Sequence, residues 1–120
     1  MAKILAVDDS ASMRDMVAFT LRGAGHVVTG AANGQLGLDA ASADAFDLVL
    51  ADVNMPVMDG IAMVRGLRAM EQYKGVPILM LTTESHTEKK MEGKAAGATG
   101  WLIKPFDPDQ LLATVKRVLG

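Results

Sequence analysis

Residues 48–51 read Leu-Val-Leu-Ala, a short and continuous apolar run that is followed by Asp52. A run of this length without alternation is typical of a strand buried on both faces of a parallel sheet. Four further runs share this character: Ile4–Val7, His26–Thr29, Pro77–Leu81 and Gly100–Ile103. The segments between them are about 15–20 residues long, enough for right-handed crossovers through a helix. We therefore predict an α/β fold in which helices cover both faces of a parallel sheet of five strands.

Capping signals place helices between these runs. Ser10 or Ser12 can cap the first helix, Asn33 precedes the second, and Asp59-Gly60 opens the third. Apolar side chains at helical spacing predict the faces that turn toward the sheet. These residues are Met13, Met16, Val17, Thr20 and Leu21 in the first helix, Leu36 and Leu38 in the second, and Ile61, Val64 and Leu67 in the third.

The last two helices differ in how clearly the sequence specifies them. In the fifth, Asp107 can cap the helix, Pro108 takes its first position, and Gln110 can reach back to the cap. The fourth, predicted from about Ser85 to Lys94, has little apolar surface besides Met91. We expect it to be among the first elements to move.

Composition excludes several classes of protein. The 120 residues include 12 basic and 14 acidic side chains, so the chain has no overall charge for binding nucleic acid or an anionic membrane. Without cysteine there is no disulfide scaffold, thiolate metal site or cysteine nucleophile. The apolar runs are far shorter than the ~20 residues of a membrane span, and no signal peptide is recognisable. We expect one cytoplasmic domain over residues 1–120.

Polar side chains follow four of the predicted strands. Asp8 and Asp9 come after the first, Asp52 after the third, Thr82 after the fourth and Lys104 after the fifth. Ligands of open parallel sheets bind at the carboxyl ends of the strands, where these side chains are expected to converge. Each residue alone is more often a turn, cap or surface residue. Their conjunction at one edge predicts a functional site.

Three carboxylates this close require compensation, because two charges ~4 Å apart repel by several kcal/mol at an effective dielectric constant of about 20. One solution is a shared proton and a raised carboxyl pKa. The other is a hard cation with oxygen ligands, for which Mg²⁺ is better suited than Ca²⁺ or zinc. The sequence leaves both solutions, the shared proton and the bound cation, open.

The same edge suits phosphoryl chemistry. Lys104, held by the following Pro105, can clamp a phosphoryl group, and Thr82 can donate a hydrogen bond to it. A carboxylate can act as the nucleophile that becomes an aspartyl phosphate, and Asp52 is the central candidate.

Four motifs in the same order resemble the receiver domain of two-component response regulators across the whole chain. They are Val7-Asp8-Asp9-Ser10, residues 52–60 (DVNMPVMDG), Leu81-Thr82-Thr83-Glu84 and residues 96–106 (AGATGWLIKPF). Within the family the match is closest to single-domain chemotaxis regulators, in Ser12-Met13-Arg14, Asn54 and Glu84. The resemblance implies a flavodoxin-like, doubly wound sheet of strand order 2-1-3-4-5.

The resemblance also implies a role for each site residue. Asp52 would accept the phosphoryl group from the phosphohistidine of a histidine kinase, and Thr82 and Lys104 would bind its oxygens. Asp9, Asp52 and the backbone carbonyl of Asn54 would hold Mg²⁺, with Asp8 acting on the waters of the metal. Trp101 would take the place of the switch aromatic, where Tyr or Phe is usual in the family, and Pro105 would shape the following loop.

As a member of this family the chain would act mainly as a signalling switch, although it would catalyse its own phosphorylation and dephosphorylation. The chain ends after the fifth helix, so no effector domain is expected and a monomer would signal through a partner. In a chemotaxis pathway this partner is the flagellar motor switch, and a phosphatase is a further partner.

Three alternative functions remain open at this point. The first is a phosphate sink or phosphorelay intermediate without motor output. The second is a metal-dependent phosphatase with an aspartyl nucleophile, although Asn54 stands where such enzymes carry a general acid. The third is a flavin-binding module, in which Asp8 and Asp9 would repel the phosphate.

Overall fold

The computed structural model describes residues 1–83 and 87–120, with the side chains of 1–83 and 90–120. Within these residues, five strands form one parallel sheet in the order β2-β1-β3-β4-β5. The order 2-1-3-4-5 and the parallel pairing are as predicted, and both faces of the sheet carry helices. The strands are β1 Lys3–Val7, β2 Val27–Ala31, β3 Leu48–Asp52, β4 Ile78–Thr82 and β5 Gly100–Ile103.

The helices alternate with the strands along the described chain. They are α1 Ala11–Gly23, α2 Gly34–Ala43, α3 Gly60–Arg68, α4 Thr87–Ala96 and α5 Pro108–Leu119, with a short 3-10 helix at Glu71–Tyr73. The predicted caps are present: Ser10, Asn33 and Asp59 each accept a backbone N–H of the helix that they precede. Asp107 and Gln110 form a reciprocal capping box at α5. Glu84 and Ser85, which belong to sequence predictions, lie outside the described residues.

Each face of the sheet has its own apolar core. Val17, Leu21, Leu111 and Val115 bring α1 and α5 onto one face of the sheet. The opposite core includes residues of α2, α3 and α4, among them Ala41, Ile61, Val64, Leu67 and Ala96. A sheet buried in this way explains why β3 and β4 are apolar at every position before their final residue.

Helix α2 confirms only one of its two predicted core residues, because Leu38 packs against the core and Leu36 does not. Leu36 is 49% exposed, whereas Gly37 and Ala41 are buried. A Cβ atom on Gly37 would lie 2.7 Å from Met63 Sδ and 3.0 Å from a methyl group of Val7. The helix therefore lies so close to β1 that a glycine, and not a leucine, faces the sheet.

Three other elements also depart from the expectation. The strands β2 and β5 lie at the sheet edges, so Val27 and Ile103 are 45% and 38% exposed instead of buried on both faces. Within the described residues α4 spans Thr87–Ala96, so it extends beyond the predicted Lys94, and its Met91 is 64% exposed. No helix within the described ranges combines the length and the apolar composition that crossing a bilayer requires.

The register aligns the carboxyl ends of the strands. Val7 pairs with Ala51, Asp52 with Leu81, and Thr82 with Ile103. Residues just beyond β1 and β5 therefore lie at the same edge as the last residues of β3 and β4. This edge is where the sequence predicts the functional site.

Gly60 lets α3 begin against the end of β3. Its N–H donates to Val53 O at 2.9 Å, and a Cβ atom there would lie 2.0 Å from the carbonyl oxygen of Asp52. We expect Gly60→Ala to lower the free energy of unfolding by about 1–3 kcal/mol, because the backbone must shift to make room. Urea unfolding measures this change.

Gly23→Ala is the matched control, because a Cβ atom at that helix end meets nothing within 4 Å. Its unfolding free energy should change by less than about 1 kcal/mol. Equal effects of the two substitutions would contradict the close approach at Gly60.

Candidate functional site

Three carboxylates converge at the carboxyl edge of the sheet. Asp8 and Asp9 follow β1, and Asp52 is the last residue of β3. One carboxylate oxygen from each lies within 4.8 Å of the others. Asp8 and Asp52 are only 2% and 8% exposed, whereas Asp9 is exposed. The predicted acidic cluster is therefore present, with one member open to solvent and two buried.

The turn after β1 holds Asp8 in place. The N–H of Ser10 donates to Asp8 Oδ1 at 2.9 Å, while the Ser10 side chain caps α1. Arg14 donates from Nη1 to the carbonyl oxygen of Asp8 at 2.6 Å. From the sequence alone, Ser10 is predicted only as a cap, and no pattern indicates a positioning role for Arg14. The α1 capping signal could have suggested a positioning role for Ser10, since the cap fixes the turn that carries Asp8.

Lys104 bridges the two buried carboxylates. Its Nζ lies 2.8 Å from Asp8 Oδ2 and 3.3 Å from Asp52 Oδ1, and its side chain is 13% exposed. The backbone N–H of Lys104 donates to Thr82 O at 2.7 Å, which fixes the lysine beside the end of β4. The Lys104–Pro105 peptide bond is cis, and Pro105 is exposed.

The ammonium compensates only part of the repulsion. Burial, followed by the charge of Asp8, raises the pKa of Asp52 to about 6, although Lys104 acts in the opposite direction. Burial by itself lowers the pKa of Lys104, but the hydrogen bond to Asp8 and the charges of Asp52 and Asp8 outweigh it and raise this pKa. Asp52 thus gains a proton more readily than an ordinary aspartate, and Lys104 stays charged. A lysine between the acids is a compensation that the sequence analysis did not weigh.

The donor set fits a hard divalent cation. The cluster formed by Asp8, Asp9 and Asp52 offers carboxylate oxygens alone, with neither imidazole nor thiolate in the group. Such oxygen ligands suit Mg²⁺, which commonly keeps several waters, and the exposed Asp9 leaves solvent access for them. Asn54 lies exposed in the loop after β3, two residues beyond Asp52. Its role as a ligand stays a prediction.

Thr82 and Trp101 lie near each other below this edge. Thr82 ends β4 and is 4% exposed, and it lines a small cavity together with the partly buried Trp101 and with Lys90. The Nζ atom of Lys90 lies 5.9 Å from the centroid of the indole ring. Trp101 packs against the core beneath α3 and α4, whereas Leu102 packs against the opposite core. Thr82 at the end of β4 and the indole of Trp101 therefore border the same cavity, so a movement of one can affect the other.

The fold and the site together define a class: an α/β protein with an acidic pocket, bridged by a lysine, at the carboxyl edge of a 2-1-3-4-5 sheet. Residues 4–116 match the family described as response regulator receiver domain. The chain belongs to this family. Membership implies a histidine kinase as phosphoryl donor and a partner that receives the output.

Similar proteins include chemotaxis regulators. The chain is 36% identical over 117 residues to the chemotaxis protein CheY of Pseudomonas aeruginosa, covering 97% of this chain and 94% of that protein. A solved structure of CheY4 from Vibrio cholerae superposes with a TM-score of 0.96 at 58% identity, with 98% of each chain covered.

Other similar proteins are longer or hold a metal. Curated transcriptional regulators that are 40% identical over 117 residues are much longer, and the chain spans 26% of their length. The receiver domain of the sensor histidine kinase PA1611 from Pseudomonas aeruginosa superposes with a TM-score of 0.92 at 31% identity, covering 99% of this chain and 98% of that one. That structure has a magnesium ion coordinated in its active-site cleft.

The raised pKa of Asp52 predicts how stability depends on pH in the absence of divalent metal. Because the folded state binds the proton more tightly than the unfolded chain, stability falls as pH rises from about 4 to about 6. Above this interval the ionised carboxylate lowers the free energy of unfolding by at most about 3 kcal/mol. We therefore expect Asp52→Asn to be more stable than the wild type at about pH 7.5, with the difference vanishing near pH 4.

Urea unfolding at both pH values, in the presence of a chelator, measures this difference. Asp15→Asn on the exposed face of α1 is the matched control for the substitution itself. A pH-independent effect of Asp52→Asn would contradict the raised pKa.

Proposed function

We propose that this chain is a phosphorylation-driven switch of a chemotaxis pathway, with Asp52 as the phosphoacceptor. The observation that carries the proposal is the Lys104 ammonium lying within 3.3 Å of Asp52 and 2.8 Å of Asp8 at the strand ends. A nucleophilic carboxylate, a fixed cation and adjacent acids are the parts that phosphoryl transfer to aspartate requires.

In this proposal an oxygen of ionised Asp52 attacks the phosphorus of a phosphohistidine. The new P–O bond forms as the P–N bond breaks. The imidazole, which carries a proton on its other ring nitrogen, takes the electron pair of the P–N bond and leaves as a neutral ring. With its pKa at about 6, Asp52 is mostly ionised at neutral pH and is available for attack. Lys104 and Thr82 then hold the phosphoryl oxygens, so the lysine exchanges part of its contact with Asp8 for a contact with the new group.

Asp9, Asp52 and the backbone carbonyl of Asn54 would hold Mg²⁺, and Asp8 would act on its waters. When bound, this ion supplies positive charge against the negative charge of the transferring group. The magnesium ion in the cleft of the similar PA1611 receiver domain supports this choice of metal. The buried Asp8 contributes through its hydrogen bond from Ser10, which keeps its carboxylate at the site.

The output would pass through α4, β5 and α5. Lys104 follows β5 directly, and Thr82 shares a cavity with Trp101 of β5 and Lys90 of α4. A change of contacts at the phosphoryl group can therefore bias the position of the indole and of α4, while Pro105 shapes the loop before α5. The proposed output partner is the flagellar motor switch protein in the cytoplasm. The similarity to CheY over 94% of its length supports this partner.

Labelling by acetyl phosphate with Mg²⁺ tests the phosphoacceptor. We expect Asp52→Asn to abolish labelling because the nucleophile is lost, and Asp9→Ala to slow it because a metal ligand is lost. Asp39→Asn on the exposed side of α2 should be labelled like the wild type. Labelling of Asp52→Asn at the wild-type rate would show that the assignment is wrong.

Binding to the motor switch protein tests the output. With Mg²⁺ and beryllofluoride, a phosphoryl mimic, the wild type should bind at least about tenfold more tightly, with a matching change in Trp101 fluorescence. Lys104→Arg should still be labelled but lose this enhancement, because the planar guanidinium does not replace a compact ammonium.

One result would contradict the role of Lys104, and a second would contradict the motor assignment. If the binding of Lys104→Arg to the motor switch protein still depends on phosphorylation as in the wild type, Lys104 is not part of the switch. A labelled wild type that ignores the motor switch protein would favour the phosphate sink or phosphorelay function instead. Longer transcriptional regulators are also 40% identical to this chain over 117 residues, so similarity at this level does not by itself determine the output.

A further inference from the structure

The loop between β3 and α3 holds a valine in an unfavourable backbone conformation. Val57 has a φ of 71°, in the left-handed region that β-branched residues rarely adopt. The N–H of Met58 donates to Pro56 O at 2.8 Å across it. This three-residue hydrogen bond at positive φ corresponds to the rarer and more strained form of γ-turn.

The surrounding contacts fix this turn within the loop that follows Asp52. The N–H of Gly60 donates to Val53 O at 2.9 Å, which closes the loop directly after Asp52. The N–H of Gly34 donates to Met58 O at 3.2 Å, which attaches the far side of the loop to α2. Val57 is therefore presented by a loop that is tied at both ends.

Packing within the chain does not offset this strain. The Val57 side chain is 82% exposed, so it contributes little to either core. Glycine or asparagine would adopt the same φ at lower cost. Strained residues of this kind are concentrated at sites of function, and the side chain has its exposed surface available for a contact outside the chain.

We propose that Val57 is a specificity-determining contact for the protein that donates the phosphoryl group, packing against an apolar surface of its phosphohistidine-bearing domain. This inference rests on the proposed function, because it takes Asp52 as the acceptor. A donor domain that brings a phosphohistidine to Asp52 must approach the loop that begins at the next residue. The exposed Pro56 extends the apolar surface beside Val57. A tied loop loses little conformational entropy on binding, which favours affinity.

A donor of low molecular mass, such as acetyl phosphate, offers no protein surface to Val57, whereas a histidine kinase does. Comparing the two donors therefore distinguishes a contact between Val57 and the kinase from an effect of Val57 on the site itself. Val57→Asn and Val57→Gly would be compared with the wild type using acetyl phosphate and using a histidine kinase that phosphorylates the wild-type chain. Leu36→Gln, which replaces another exposed apolar side chain on α2, is the matched control. Thermal unfolding of each variant provides an independent readout.

We expect Val57→Asn to melt about 2–5 °C higher, because asparagine relieves the strain. Labelling of both Val57 variants by acetyl phosphate should stay within about twofold of the wild type. Transfer from the kinase should fall at least about fivefold in kcat/KM, mainly through KM, and Leu36→Gln should transfer normally.

Kinase transfer at the wild-type rate in both Val57 variants would overturn the inference. So would an equal loss with acetyl phosphate and kinase, because the side chain would then act on the site itself. A Val57→Asn variant that melts at or below the wild-type temperature would overturn the strain argument. Failure of the wild type to be labelled at Asp52 by either donor would instead refute the proposed function.

Discussion

The position of one ammonium group between two buried carboxylates is the constraint on which the site depends. Lys104 lies within 3.3 Å of Asp52 and 2.8 Å of Asp8, and all three side chains are largely removed from water. Without the lysine, two buried acids would face each other uncompensated, at a cost that a domain of this size can hardly sustain. With it, the pKa of Asp52 is still raised to about 6. The pocket is thus held together in a state that still attracts additional positive charge.

This incomplete compensation links stability to function. A site that fully neutralised its acids would have little affinity for a cation, while one with no internal cation would destabilise the folded chain. Phosphorylation of Asp52 would change the same balance, because the lysine would then face a phosphoryl group as well as Asp8. A change of charge at the site can therefore alter the contacts of β5, because this strand directly precedes Lys104 and carries Trp101.

Close backbone approaches make this arrangement possible. Gly60 allows α3 to begin against the end of β3, because a Cβ atom at this position would lie 2.0 Å from the carbonyl oxygen of Asp52. Gly37 allows α2 to approach β1 in a similar manner. The helices are thereby held near the carboxyl edge of the sheet. The loop that follows Asp52 is tied down by the same region, which allows it to keep Val57 in a conformation that a free loop would not adopt.

The sequence by itself determined the features that depend on local chemistry. Continuous apolar runs identified the strands, and short polar side chains at Asn33, Asp59 and Asp107 identified three helix starts, because each cap satisfies nearby backbone N–H groups. For the first helix the sequence left Ser10 and Ser12 open, and the structure has Ser10 as the cap. The convergence of Asp8, Asp9, Asp52, Thr82 and Lys104 also followed, because parallel strands present their carboxyl ends at one edge.

Only the tertiary structure decided what depends on distances between remote segments. The contact between Lys104 and Asp8 joins residues 96 positions apart. Burial of Asp52 and then the charge of Asp8 raise the pKa of Asp52 to about 6, while Lys104 opposes them. The exposure of Leu36 depends on how closely α2 approaches the sheet, which no helical periodicity reveals. The positive φ of Val57 occurs in a loop whose hydrogen bonds join Met58 to Gly34 of α2 and Gly60 to Val53, the residue after β3. Burial and charge coupling are properties of packed neighbours, so they emerge only when the chain has folded.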